Sequence, residues 1–532
     1  MTLKARWAHF WIVAALAVLG PAPARVSAGA QSADAQRLVT AGITALHTFE
    51  YEDANDAFRR AQQLDPGIAI AYWGEAMTYQ QTLWQKEDVN EARRALARLA
   101  PSPAARAAKA RTAVEKGLLG AVEILFGDGD AASRHDKYAE AMGRVYADHS
   151  DDPDVGAFYA LALMGTMSRG LIGYEAGSDA VHEGHTRGLA GSDVQSRVAS
   201  ILTKVLAAHP RHEGALHYLV HDFDDPEHAR LGLDAARALA KLAPPSSHAR
   251  HMPAHIFLQL GLWRDAAASD RSAFDASTEW VRRRNLAPAL RNYHALAWLE
   301  YELLQRGRYV DAWNTLAEIE PVVNATHDLT LLSDLASMRA RFVIETRRWN
   351  VMAKEGDFAN VNDLFAIGAS NAKLGQLDRA EIVRKALAAR ADSPQEGDLR
   401  PAIAIMEREV AALIEIASAR IDQGIAILRD AARAESQLPP PLGLPAPVKP
   451  APELLGEVLL DARKPREAVD AFEQTLRRHP NRSLSVLGIA RAAAALGDTQ
   501  TARRRYSELL KNYDEADPDL PELKEAKQKF RN

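Results

Sequence analysis

Hydrophobic positions along most of this chain fall three and four residues apart, the spacing of one helix face, and they come in pairs of segments. In the first clear pair, Gly42 sits midway through one segment. Ala54, Phe58 and Ala61 then form the apolar row of the next, and Pro66 closes it. A proline there cannot continue a helix, and the small residues allow two helices to cross closely. Ala71 to Met77 starts the next helix. The same register returns at Val198, Leu202, Val205 and Pro210, with Pro244 closing the following unit 34 residues on. Ala266 and Ala312 open further second helices, Gly368 with Ala380 marks another repeat, and Ala412 with Leu428 marks a weaker one. Gly456, Ala468, Phe472 and Pro480 form a clean unit, and Ala490, Ala502 and Tyr506 form another. Residues 101–135 are Ala-rich and helical but fit the register poorly. Residues 168–192 are Gly-rich and off-period, which predicts a loop that carries His182 and His185.

A 34-residue unit of two helices is the period of the tetratricopeptide (TPR) repeat, and the chain resembles that superfamily over nearly its whole length. It also resembles exported bacterial TPR proteins in Phe49–Ala54, Ala71–Met77, Gly214–His221, His251–Phe257 and Glu453–Gly456. The resemblance implies an all-α, superhelical TPR-like solenoid that binds a peptide or protein partner along a concave groove. It implies no reaction. The expected organisation is a signal peptide at 1–30, a helical array at 31–435 and a Pro-rich connection at 436–452. A C-terminal repeat pair with a capping helix follows at 453–532.

The signal reading rests on Lys4 and Arg6, the short apolar run Phe10 to Leu19, and small residues from Val26 to Ala30 that offer cleavage positions. It predicts a periplasmic or secreted protein with no membrane span after signal removal. Composition adds exclusions. The net charge of −5 gives no basic surface for nucleic acid. The absence of cysteine removes disulfides, thiolate metal sites and a cysteine nucleophile.

Histidine carries the chemistry. His217 and His221 repeat as His251 and His255 after 34 residues, and each pair is four apart, on one helix face. Counted from Pro210, Pro244 and Ala312, the helices bearing them should start near Glu213, Ser247 and Tyr293. The TPR resemblance then places His217, His221, His248, His251, His255 and His294 in groove-facing slots, with Asp224 as a further candidate ligand. Trp73, Met77 and Tyr301 are expected to line the same groove. Five or more imidazoles and a carboxylate suit a transition metal such as Zn, Cu or Fe. Two other readings stay open: histidines held structurally in a plain interaction scaffold, and an imidazole cluster that captures an anion or peptide. His212-Glu213 is not a zincin motif, because His217 stands one residue too far along. No phosphate loop, nucleophile elbow or dinucleotide fingerprint appears, so a metal-dependent hydrolase or oxidase would have to draw its chemistry from the histidine face.

Overall fold

The structure is a computed structural model that describes residues 28–167, 192–352 and 360–531. Of the expected signal peptide, only residues 28–30 fall within this range, as the first turn of the first helix. The Gly-rich segment with His182 and His185 lies outside the described residues, apart from Ser192.

Helices follow one another in pairs. α1 (Ala28–His47) and α2 (Tyr51–Leu64) are followed by α3 (Ala69–Met77) and α4 (Val89–Leu99), which flank a short two-stranded ribbon. The Ala-rich stretch forms α5 (Pro103–Ala107), α6 (Ala113–Leu125) and the start of α7 (Ala131–Asp148). α8 (Pro153–Met167) and α9 (Asp193–Ala208) come next. The histidine-bearing region is α10 (Glu213–Asp222), α11 (Ala229–Leu242), α12 (Ser247–Gln259), α13 (Trp263–Arg284), α14 (Tyr293–Gln305) and α15 (Tyr309–Thr326). Beyond it lie α16 (Leu329–Thr346), α17 (Val361–Lys373), α18 (Leu377–Ala391), α19 (Arg400–Ala417) and α20 (Ile421–Glu435). The C-terminal repeats are α21 (Ala451–Asp461) with α22 (Pro465–Arg478) and α23 (Ser483–Ala495) with α24 (Thr499–Asn512), closed by α25 (Pro521–Arg531).

The repeat spacing sets the packing. Phe58 of α2 is fully buried where the small faces of Gly42 and Gly74 meet it, and a Cβ at Gly42 would lie 2.7 Å from its ring. Phe472 of α22 stands in the same relation to Gly456 and Gly488. These rings fill the helix crossing as ridges fill grooves.

Three features decide where the histidines sit. First, the array curls so that α1 packs against α10, far along the sequence. Second, the C-terminal repeats pack back onto the middle of the chain. Val486, Tyr506 and Leu509 share a core with Leu299, Leu316 and Phe342. Trp263 Nε1 donates to the Asn481 carbonyl at 2.9 Å, and the Asp517 amide donates to the Gly307 carbonyl at 3.0 Å. Third, the Pro-rich connection is a partly buried strap rather than an exposed linker. Leu442, Leu444, Val448 and Lys449 are buried in it, and Gly443 lies flat on Trp298.

A Cβ at Gly443 would come within 2.7 Å of the Trp298 ring. Gly443→Val is therefore expected to lower stability by about 1–3 kcal/mol through overpacking. Urea denaturation followed by tryptophan fluorescence checks this.

Candidate metal centre

Each of the three helices that carry the site begins on a side-chain cap. His212 Nδ1 accepts from the Ala215 amide at 3.1 Å, which starts α10 at Glu213. Ser246 Oγ accepts from the Ala249 amide at 3.1 Å and starts α12 at Ser247. Asn292 Oδ1 accepts from the Ala295 amide at 3.0 Å and starts α14 at Tyr293. Such caps satisfy amides that the first helical turn leaves unbonded. The helix starts expected from the repeat register are the ones observed. They put the histidines of neighbouring helices at matching heights.

The histidines form two triplets rather than one cluster. In the first, His221 Nε2 lies 3.2 Å from His217 Nε2 and 3.2 Å from His248 Nε2. In the second, His251 Nε2 lies 2.9 Å from His255 Nε2 and 3.1 Å from His294 Nε2. Within each triplet one ligand atom per residue lies within 4.8 Å of the others. All six rings are buried except His248, which is partly exposed. The helix α12 serves both triplets, giving His248 to one and His251 and His255 to the other. His248 and His251 are three residues apart, about 5–6 Å at Cβ, so the two centres are neighbours.

Three of the outer nitrogens are held. His217 Nδ1 donates to the His47 carbonyl at 2.8 Å. His255 Nδ1 donates to Asp224 Oδ2 at 2.8 Å, and His251 Nδ1 donates to Asp270 Oδ1. Gln259 Nε2 steadies the other Asp224 oxygen at 2.8 Å. Behind Asp270 stands the buried Glu302. Burial pushes its carboxyl well above the usual range, and the neighbouring Asp270 charge pushes it the same way. With the proton fixed on Nδ1, each of these three rings turns a lone pair at Nε2 toward its neighbours. In the second triplet two such nitrogens face each other at 2.9 Å. Two lone pairs at that distance repel unless a proton or a cation lies between them.

The aromatic surroundings differ. Phe49 covers the first triplet, with its ring centre 4.7 Å from that of His217 and 5.5 Å from that of His248. Trp298 covers the second, 4.4 Å from His255 and 4.9 Å from His251. Gly443 of the strap also approaches the Trp298 ring. Burial pushes the His217 imidazole down to about 4, against the opposing effect of its bond to the His47 carbonyl.

A third group, His47, Asp154 and His212, has its ligand atoms equally close together but a different chemistry. His212 spends its Nδ1 lone pair on the helix cap, so its Nε2 carries the proton and donates to Asp154 Oδ1 at 3.2 Å. His47 Nε2 donates to the same oxygen at 3.0 Å, and its Nδ1 accepts from the Tyr218 hydroxyl at 3.1 Å. Burial raises the Asp154 carboxyl, but the bonds from His212 and His47 outweigh it and hold it far below the usual range. Every ring nitrogen here has a hydrogen-bond role, so this is a bridge that holds α1, α8 and α10 together.

Several sequence expectations change position. Asp224, expected as a further ligand, sits behind His255 and orients it. The adjacent Asp225 caps the turn instead, accepting from the amides of Glu227 and His228 and from His228 Nδ1. His47, at the end of α1, holds His217 through its carbonyl. Trp73 and Met77 are buried and pack against Phe158 and Tyr138, so they belong to the core rather than to an open groove. Tyr301 is buried too, and its hydroxyl accepts from Arg482 Nη1 at 3.0 Å. Asp270 was not singled out in the sequence. Its only signal was an aspartate on the second helix of the repeat that carries His251.

The helix pairs and their shared register define an all-α, TPR-like solenoid, and one stretch of it matches the repeat itself. The tetratricopeptide repeat family model matches residues 485–516, within α23, α24 and the turn after them. Among solved structures, yeast Tom70 aligns at 13% identity over 91% of this chain and 93% of that one, with a TM-score of 0.28. The TPR domain of P58(IPK) aligns at 13% identity over 94% of this chain and 98% of that one, with a TM-score of 0.20. No curated protein sequence matches the chain. Among the described residues, no helix is long and apolar enough to cross a membrane.

Proposed function

We propose that this chain is a metal-binding TPR protein that holds two transition-metal ions side by side, each on three imidazoles. His217, His221 and His248 hold one ion, and His251, His255 and His294 hold the other. The observation that carries the reading is the convergence of three Nε2 atoms in each triplet, with the Nδ1 protons of His217, His251 and His255 already placed. A tetrahedral ion with metal–nitrogen bonds of about 2.0–2.1 Å has ligand edges of about 3.3–3.4 Å. The observed separations of 2.9–3.2 Å lie close to that. Carboxylate or carbonyl acceptors behind metal-binding histidines are the usual outer shell. All-imidazole sets favour Zn or Cu. The two-histidine, one-carboxylate set that suits Fe(II) is not formed, because Asp224 stands behind the ring. The sequence features at the N-terminus support export of this protein to an oxidising compartment.

The test is metal affinity in the tag-free chain, measured by competition with a chromogenic chelator. Asp224→Ala and Asp270→Asn are expected to weaken one Zn(II) equivalent by about 10–100-fold and to leave the other unchanged. Equal affinity in wild type and both variants would remove the assignment. A second reading, a scaffold for a protein partner, draws on the TPR architecture.

A further inference from the structure

Beside the two triplets lies a crevice of about 310 Å³ between the first repeat and the middle of the array. Its histidine wall is His248 from one triplet and His251 and His294 from the other. Both centres therefore face one space. The opposite walls are aromatic: Phe49, Tyr51 and Trp84 from the N-terminal side, and Trp280 from α13. Trp84 and Phe49 meet edge to face at 5.4 Å, and Trp84 lies 5.3 Å from His248, so ring surface continues onto the ligand set. The indole N–H of Trp280 is buried with no hydrogen-bond partner among the described residues. A buried donor of this kind normally has an acceptor. Arg284 and Arg283 pair with Asp53 across the crevice, tying its two sides together.

The walls narrow the ligand, since four aromatic rings favour a flat one. Glu50, Glu52 and Arg291 line the crevice as well. Three-ligand metal sites keep a coordination position open for an oxygen donor. A weak oxygen acid on a flat ring satisfies both walls. It enters neutral, its O–H bond breaks as the oxygen bonds to the metal, and the proton passes to solvent.

We propose that this crevice binds a small phenol or catechol, its oxygen on the metal at the histidine wall and its ring among Phe49, Trp84 and Trp280. The inference rests on the metal reading, and the experiment separates the two. Full-length protein is loaded with Zn(II), freed of excess metal, assayed for metal content and titrated with 4-nitrocatechol, whose visible band shifts when its oxygens coordinate. The expected result is a saturable shift in the wild type. Trp280→Ala should weaken it at least tenfold with metal content unchanged. Leu290→Trp, made at an exposed position on the crevice rim, should do the same by filling the space without touching the core. Bound metal with no shift, or a shift equally strong in both variants, overturns the crevice assignment and leaves the metal reading standing. Failure to take up metal overturns both.

Discussion

Arg482→Ala is expected to destabilise the closed form of the solenoid by about 3–5 kcal/mol, the range for breaking a buried ion pair from one side. Arg482 is fully buried at the start of α23. It donates to Glu453 through Nε at 2.9 Å and Nη2 at 3.0 Å, to the Tyr301 hydroxyl through Nη1 at 3.0 Å, and to Glu345. Lys449 of the strap donates to Glu453 at 2.7 Å and to Glu457 at 2.8 Å. One network thus joins the strap, the C-terminal repeats and the central helices. Removing the guanidinium leaves Glu345 and Glu453 buried with too little positive charge beside them. Repeat proteins can lose one part of the array before another. The loss should therefore appear first in the C-terminal transition of a urea titration, while metal content stays near wild type. The pH dependence has a definite sign. Burial raises the Glu453 carboxyl, but the charges of Arg482 and Lys449 outweigh it and hold it below the value of about 4.3 for a free glutamate. Its contribution is present above that value and is lost as the pH falls through the folded one. Wild type should lose stability on acidification more steeply than Glu453→Gln.

The second large effect is stabilisation by metal. An ion that binds the folded chain alone adds about 2.7 kcal/mol at one hundred times its dissociation constant. Two sites in adjacent helices should add this to the same part of the array. Zn(II) is expected to raise the unfolding midpoint of the segment holding α10, α12 and α14. His217→Ala or His251→Ala should remove about half of the gain, and the double variant should show none. Thermal denaturation with and without metal, after chelator treatment, measures this.

The sequence made the helices and the histidine face legible, but not how that face divides. Starts at Glu213, Ser247 and Tyr293 could be counted because closing prolines and small residues mark each helix crossing at a fixed interval. The four-residue spacing placed His217 with His221 and His251 with His255. It left open which helix His248 would face, since a ring at the start of α12 can reach backward or forward. The packing turns it backward onto His221, beneath Phe49 and Trp84. The outer partners were harder to read, because they arise from contacts between distant residues. His47 meets His217 only when α1 closes on α10, and Asp270 meets His251 from the next helix. The Pro-rich run was expected only as a connection, and its burial against Trp298 and Arg341 comes from contacts with distant helices. Those contacts depend on the curl of the whole array, which no local pattern encodes.

The most direct measurement is the metal content of the tag-free protein, by plasma mass spectrometry after Zn(II) or Cu(II) loading and removal of excess ion. Two equivalents per chain are expected in the wild type. One should remain in His217→Ala, one in His251→Ala, and none in the double variant. The same substoichiometric content in all four proteins would contradict the two-centre account.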